Sequence, residues 1–317
     1  MTDVSAAMTA ETVSPGASGG PPEGGDAAPA RSLASDAWRQ LRRRPMFWIA
    51  VTIITVLVIM AIFPQLFTSI DPSAADLRRS RETPNADAWF GRDRQGVDIY
   101  ALTIYGARAS ILVGLLTTIM TTVIGGIVGI IAGFRGGWVD ALLSRVTDVF
   151  FAIPLLLGGI LFMSTWPNDP LNTPYFVVVG KVVFVLTLFG WPSIARLMRS
   201  AVIQVKPNEY VQAARALGAS PWRIILSHVL PNAMAPVIVV ATINLGAYIV
   251  AEATLSFLGI GLQPPAISWG TAISEATNTI RSNWHILFFP SLFLSVTVLA
   301  FILLGDVVRD AFDPKQR

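Results

Sequence analysis

Six apolar stretches along the chain each come close to the length that a helix needs to cross a bilayer. A helix rises about 1.5 Å per residue, so about 20 residues cross the hydrocarbon. The pattern therefore predicts an all-α, polytopic membrane protein with six transmembrane helices. We place them at residues 46–70, 109–134, 149–166 (with a start near residue 142), 175–195, 232–251 and 286–305.

The apolar stretches divide the chain into successive segments. Residues 1–34 are mostly small and polar without apolar periodicity, which predicts a disordered cytoplasmic tail. Residues 35–70 hold the first span and, before it, Trp38 and Leu41 alternating with arginine. That alternation is typical of a short helix on the membrane surface, and equally of an ordinary basic flank. The remaining segments are an extracytoplasmic loop (71–108), a five-helix core (109–307) containing a cytoplasmic loop (196–231), and a cytoplasmic C-terminus (308–317).

Composition excludes several classes of protein. Apolar residues make up 53% of the chain and charged residues 14%, against about 25% charged in a soluble domain. The absence of cysteine excludes disulfides and thiolate metal sites, and we expect no metal in this chain. A net charge of +3 is too small to indicate nucleic-acid binding.

Basic residues predict the orientation of the chain. If the N-terminus is cytoplasmic, fifteen of the 23 Lys and Arg lie in inside segments, and Arg42, Arg43 and Arg44 directly precede the first span. Cytoplasmic loops carry an excess of basic residues, so both termini are expected inside the cell. We therefore expect a multi-pass protein of a bacterial plasma membrane.

Catalytic motifs are absent. The chain has no G-x-S-x-G, H-E-x-x-H or Walker A sequence, so we expect no catalytic residues and no hydrolysis of ATP by this chain. A stand-alone channel or a secondary transporter remains an alternative. Asp148, Lys181 and Glu252 are expected near span ends, where snorkelling to the membrane surface is favoured over an ion relay.

The loop at 196–231 carries helix signals rather than linker composition. Residues 209–217 predict a helix with Asn208 as its N-cap. Gly218 stands where a helix often ends with a residue of positive φ. Ser220 then predicts the N-cap of a second short helix over residues 222–229, with proline at its first position.

These residues carry a family resemblance. Gln212-Ala213-Ala214, then Gly218, then Leu230-Pro231 resemble the EAA loop of bacterial ABC import permeases. The longer matches resemble the C-type permease of dipeptide and oligopeptide importers and cover residues 41–314. Departures include Gln212 in place of the family's glutamate, and Arg92 and Val97 in the outer loop. The matching segments are 89–98, 105–108, 209–219, 228–232, 252–259, 263–270 and 304–314.

The resemblance implies a type I ABC importer permease fold and a set of partners. These are a homologous second permease subunit forming a heterodimer, two cytoplasmic ATPase subunits or domains, and an extracytoplasmic peptide-binding protein, in membrane lipid and without nucleic acid. ATP and Mg would be bound by the ATPases, so no cofactor is expected in this chain. The transported substrate would be a dipeptide or oligopeptide, with nickel chelates or glutathione as same-family alternatives.

The resemblance also implies an ATPase-coupling site in the loop. Gly218 would set its bend, alanines would permit close packing, and three charged residues would contact the ATPase. An amphipathic hairpin lying on the membrane surface is the structural alternative. The implied site residues are Glu209, Gln212, Ala213, Ala214, Arg215, Gly218, Ala219, Arg223, Leu230 and Pro231.

Two further motifs favour structural roles. Glycines repeat along the second span at Gly114, Gly125, Gly126, Gly129 and Gly133, which indicates close helix packing ahead of pore lining. Asp93 and Asp98 have the wrong spacing for an EF-hand, so structural turns are favoured over calcium binding. For the outer loop around them, contact with the binding protein and a simple solvated connection both remain open.

Overall fold

The computed structural model describes residues 38–169 and 172–312, and most of these residues are helical. Within these ranges there is no strand, only an isolated bridge between Arg92 and Asp98. The predicted tail at 1–34 and the last residues of the C-terminus lie outside them. The helices are α1 (Pro45–Ile62), α2 (Ile99–Arg135), α3 (Gly137–Phe151), α4 (Leu155–Thr165), α5 (Tyr175–Val205), α6 (Glu209–Ala216), α7 (Pro221–Phe257), α8 (Trp269–Ala276) and α9 (Trp284–Phe312).

Among the described helices, α1, α2, α5, α7 and α9 are long and apolar enough to span a membrane. The pair α3 and α4 qualifies as a sixth span, but it bends by 75° at its break. The third predicted span is thus two helices rather than one straight helix. Pro154 stands at the break, immediately before α4, where its missing N–H and fixed φ disfavour a continuous helix.

Two helices extend well beyond their predicted spans. Helix α2 begins ten residues before residue 109, so residues 99–108, assigned above to the outer loop, are helical. Helix α5 continues ten residues past residue 195, which shortens the loop 196–231. Each predicted span was bounded by an arginine, Arg108 before the second span and Arg196 after the fourth. In the structure each arginine has a partner within the protein. Arg108 donates to the carbonyl of Ala61 at 3.0 Å, and Arg196 donates to Asp148 at 2.8 Å.

The second short helix predicted in the loop is instead the first part of α7. The segment Pro221–Ile224 continues through a π-helical turn, Ile225–Val229, into Leu230–Phe257. Pro231 removes one backbone donor from this region, and a wider turn just before it lets the helix continue. The loop therefore runs directly into the fifth span.

Close contact between α2 and α5 forms the centre of the bundle. A Cβ atom added to Gly125, Gly129 or Gly133 would lie 2.5 to 2.9 Å from the backbone or Cβ atoms of α5. Gly114 plays the same part against Ile249 of α7, where an added Cβ would lie 2.4 Å away. The expectation that the glycines of this span serve helix packing is confirmed for these four. Gly126 differs from them, because an added Cβ there would lie 3.9 Å from its nearest neighbour, an ordinary contact distance.

Two charged residues expected to snorkel are buried instead. Lys181 is 8% exposed, and its Nζ donates to Asn168 Oδ1 at 2.8 Å and to the Pro167 carbonyl. Glu252 is fully buried, and its Oε1 accepts a hydrogen bond from Ser256 Oγ at 2.7 Å. The snorkelling interpretation is therefore wrong for both residues, because each lies buried in the protein with a polar partner there.

At one end of the bundle the family-like motifs fold as turns and anchors. Asp93 Oδ1 accepts the N–H groups of Gln95 and Val97, each at 2.8 Å, and burial raises the pKa of this carboxyl group. Asp98 caps α2 by accepting the Ala101 N–H at 2.9 Å. Trp269 is fully buried and donates its Nε1–H to the Thr103 carbonyl at 2.9 Å. The two aspartates thus hold structural turns, as the sequence favoured.

At the opposite end, the segment before α1 packs against the end of α9. Residues 38–41 are helical, and Leu41 is buried beside Val307 and Val308. Arg44 forms an ion pair with Asp310. Trp38 remains exposed, so the segment is anchored on one side and open on the other.

Two substitutions in α2 test the close contact with α5. Gly129→Ala should destabilise the purified protein by about 1–3 kcal/mol, because the new Cβ overlaps the Ala195 carbonyl oxygen. Gly126→Ala changes helix propensity in the same way, but its Cβ meets only the end of the Met198 side chain at an ordinary contact distance of 3.9 Å, so it should be neutral or stabilising. Thermal unfolding in detergent measures both, and equal unfolding midpoints for the two variants would contradict the packing.

Candidate functional site: the hairpin between α5 and α7

The predicted coupling loop folds as a helical hairpin, defined here as residues 206–225. Only three residues, Lys206 to Asn208, separate the end of α5 from α6. Lys206 Nζ donates to the Phe134 carbonyl at the end of α2, at 2.7 Å. Gln212 donates from Nε2 to the Lys206 carbonyl at 3.2 Å. The start of the hairpin is therefore tied to two long helices.

Helix α6 forms where the sequence placed it and ends one residue earlier, at Ala216. Asn208 occupies the N-cap position, although its side chain donates to the Tyr210 hydroxyl instead of capping the helix. At the other end, the Ala219 N–H donates to the Ala214 carbonyl at 3.1 Å. Gly218 has φ of +81°, so the predicted bend with positive φ is confirmed.

The return arm of the hairpin begins as predicted. Ser220 is the N-cap of the next helical segment, and its Oγ accepts the Arg223 N–H at 3.4 Å. Pro221 occupies the first helical position, where its missing N–H has no cost. This segment is the beginning of α7, so the return arm is part of a spanning helix, and three residues join the other arm to α5.

A small apolar cluster anchors the hairpin to the bundle. Val211, Ile224 and Val229 are at most 2% exposed and pack with Val202 of α5. Ala214 and Ala219 are half-buried against the same cluster. These two alanines, predicted to receive a partner, thus pack within this chain. Leu230 is also half-buried there, while Pro231 is exposed at the start of α7.

The other predicted site residues lie on the exposed side of the hairpin. None of the charged ones among them forms an ion pair within the part of the chain that the structure describes. Gln212 uses its Nε2 to donate to the Lys206 carbonyl, as described above. The exposed members are Glu209, Gln212, Ala213, Arg215, Gly218 and Arg223.

Sequence reasoning missed the large apolar residues of this surface. Leu217 is 88% exposed and Trp222 is 69% exposed, on either side of the bend at Gly218. Trp222 also borders an apolar cavity of about 390 Å³ together with Ile131 and Phe134 of α2. The sequence did carry a signal for Leu217. This apolar residue directly precedes Gly218, the glycine that ends α6, and it points away from the face of α6 that Val211 buries. Large apolar side chains exposed this close together in the chain are typical of an interaction site.

Family models match most of the chain. Residues 125–317 match the "Binding-protein-dependent transport system inner membrane component" model, and residues 32–85 match the "N-terminal TM domain of oligopeptide transport permease C". The chain belongs to this permease family. It is accordingly a multi-pass permease subunit of the ABC importer class, and its identification as a C-type member is confirmed.

Several curated relatives are similar over nearly their full length. The chain is 39% identical to the dipeptide transport system permease protein DppC of Bacillus subtilis, covering 91% of this chain and 88% of the relative. It is 37% identical to the oligopeptide permease OppC of the same organism, covering 90% and 91%. It is 35% identical to the glutathione transport system permease protein GsiD of Escherichia coli, covering 88% and 89%.

Solved structures share the fold. A methionine ABC transporter in inward-facing conformations matches with a TM-score of 0.53 at 23% identity, covering 66% of this chain and 96% of that chain. An amino acid ABC transporter matches with a TM-score of 0.51 at 16% identity, covering 66% and 93%. The all-α prediction and the type I importer permease fold are thereby confirmed.

Gly218→Ala tests whether the bend depends on glycine. A Cβ at Gly218 meets no atom within 4 Å, so the expected cost comes only from the positive φ and is about 1–2 kcal/mol. Amides of α6 should therefore exchange hydrogen about tenfold faster. Gly180→Ala also enters open space but within a helix, and it should leave the α6 amides unchanged. Unchanged exchange in both variants would contradict the strain at the bend.

Proposed function

We propose that this chain forms half of the translocation pathway for dipeptides or oligopeptides and that its hairpin engages a cytoplasmic ATPase. The observation that carries the proposal is an exposed apolar surface, Leu217 and Trp222, on a hairpin whose opposite side is anchored to α2 and α5. A rigid support with an apolar tip suits a contact that transmits force. A hairpin lying on a membrane surface would also bury these residues, so the test must separate the two.

The proposal assigns the remaining machinery to partners. A homologous second permease completes the pathway, two ATPase subunits or domains bind ATP and Mg, and an extracytoplasmic protein delivers the peptide. On this account the hairpin and both termini face the cytoplasm. Arg42 and Arg43 before α1 and Arg215 and Arg223 on the hairpin support that orientation.

The geometry explains how a force at the hairpin could reach the membrane. Three residues connect α6 to α5, and the other arm continues into α7. Val211 and Ile224 lock the two arms onto one cluster, so that a push on the tip moves both spans together. Glu209, Arg215 and Arg223 are free to make polar contacts around the apolar tip, while Gln212 holds the base of α6.

The peptide assignment is supported by the names of the dipeptide and oligopeptide permeases that this chain resembles. Glutathione is the second candidate, because a glutathione permease is nearly as similar. Uptake of labelled dipeptide, oligopeptide and glutathione by cells with and without the gene separates these substrates. If the gene changes the uptake of none of these three substrates, the peptide assignment is wrong.

Gly218→Asp should abolish uptake while the chain still inserts in the membrane and assembles with its partner permease. The aspartate adds both strain at the positive φ and a charge at the apolar tip. The measurement is uptake of labelled peptide in cells, together with the amount of chain in membrane fractions. Normal uptake by a normally inserted variant would count against the coupling role of the hairpin.

Trp222→Ala should weaken co-purification of the ATPase, because it removes a large exposed apolar side chain without touching the buried anchor. Trp89→Ala is the matched control, since Trp89 is 65% exposed near the opposite end of the bundle. The measurement is the ratio of ATPase to permease after purification in mild detergent. If the two variants retain equal amounts of ATPase, Trp222 is not part of the contact; a surface-bound hairpin predicts this result.

A further inference from the structure

Helix α3 buries little of its surface, and two ion pairs hold it to the bundle together with the ring contact of Phe150 with Trp191 of α5. Of its fifteen residues, only Thr147 is buried. Val149 is 64% exposed and Phe151 is 51% exposed. A helix that buries so little surface depends on its polar partners for its position.

Those partners come from α5. Arg199 donates to Asp140 through two bonds, from Nε to Oδ1 at 2.5 Å and from Nη2 to Oδ2 at 2.7 Å. Arg196 donates to Asp148 at 2.8 Å and also lies over the Phe151 ring, 3.8 Å from its centroid. The two arginines are one turn apart on α5, and the two aspartates are about two turns apart on α3. The ion pairs thus fix α3 at two points along its length.

The surroundings of α3 leave it room to move. Two residues of positive φ stand at its start, Gly136 just before the helix and Gly137 as its first residue, and neither has a neighbour within 4 Å of an added Cβ. It ends at the 75° bend into α4. Between α2, α3 and α5 lies a cavity of about 390 Å³, bordered by Gly129, Thr147, Asp148, Arg196 and Arg199. Helix α3 is therefore a short arm between two hinges, and it is not close-packed on its inner side.

We propose that Arg199 and Asp140 are positioning residues that carry the movement of the hairpin to the bent pair α3–α4. The proposal rests on the proposed function. Arg199 lies six residues before the end of α5, and three residues then lead to α6. Displacement of the hairpin therefore displaces Arg199, and the two-bond contact makes Asp140 and α3 follow. The exposed apolar side of α3 and α4 then changes its position relative to the rest of the bundle.

The Asp140 pair carries this role more than the Asp148 pair does. Its two parallel hydrogen bonds fix orientation as well as distance. The Asp140 and Arg199 side chains are 20% and 38% exposed, whereas Asp148 and Arg196 are 51% and 44% exposed. Pairs that are half exposed contribute little, because water screens them.

The test uses the whole complex, with its partner permease, ATPases and binding protein, reconstituted in lipid vesicles. Asp140→Asn and Arg199→Gln should each lower peptide transported per ATP hydrolysed by about tenfold. Both variants should still bring down the ATPase. The exchanged pair, Asp140→Arg with Arg199→Asp, should recover most of the coupling, and Arg199→Lys should retain more than Arg199→Gln. Arg145→Gln removes a cation from an exposed position of α3 and should couple normally.

A distance measurement covers the case in which a single variant assembles poorly. The chain contains no cysteine, so spin labels placed at Leu142 of α3 and Ile203 of α5, both exposed, are the only thiol labels on this subunit. In the wild type, the distribution of distances between the two labels should stay narrow with and without trapped ATP. This distribution should broaden in Asp140→Asn and become narrow again in the exchanged pair.

Normal coupling in both single variants, or an exchanged pair that assembles without recovering coupling or a narrow distance, would overturn the inference. Gly218→Asp separates this failure from failure of the proposed function. If Gly218→Asp still uncouples while Asp140→Asn does not, the hairpin couples by another route. If neither uncouples, the coupling role of the hairpin fails as well.

Discussion

The close approach of α2 and α5 is the constraint on which the rest of the structure depends. Gly125, Gly129 and Gly133 repeat every four residues and bring the backbone of α5 within reach of α2, where any side chain would collide. Helices gain little from the hydrophobic effect when apolar lipid surrounds them, so van der Waals contact at this distance supplies much of their association. This contact sets the position of the last turns of α5, from which the hairpin extends.

The hairpin inherits its rigidity from that contact. Lys206 reaches the carbonyl at the end of α2, and Val211 and Ile224 pack on the cluster that α5 provides. The bend at Gly218 then turns Leu217 and Trp222 outward. The last turns of α5 also carry Arg199, whose ion pair with Asp140 holds α3. One glycine-lined contact therefore supports both the exposed surface and the arm that leads to the bent helix pair.

Local signals predicted much of this arrangement. The N-cap at Ser220 and the positive φ at Gly218 follow from residue chemistry, and both are found in the structure. Asn208 takes the predicted N-cap position, but its side chain does not cap the helix. The spans were also found, because their length and apolarity are set by the bilayer. The length of α5 could not be predicted, because it depends on Asp148, a partner of Arg196 that is distant in sequence. The burial of Glu252 could not be predicted either, because it depends on how the surrounding helices pack. The break at Pro154 has a local cause, a proline inside an apolar stretch, which the prediction of a single span did not use. A charge such as Arg196 ends a span only if no partner such as Asp148 lies beside it.

Cross-linking from the exposed face of α6 tests the central claim most directly. Ala216→Cys places a thiol on the exposed side of α6 in a chain that otherwise has none. In intact cells treated with a membrane-permeant bifunctional thiol- and amine-reactive reagent, the account predicts a covalent adduct between this chain and an ATPase subunit. An adduct-free chain whose introduced thiol instead reacts with an impermeant reagent outside the cell would contradict it.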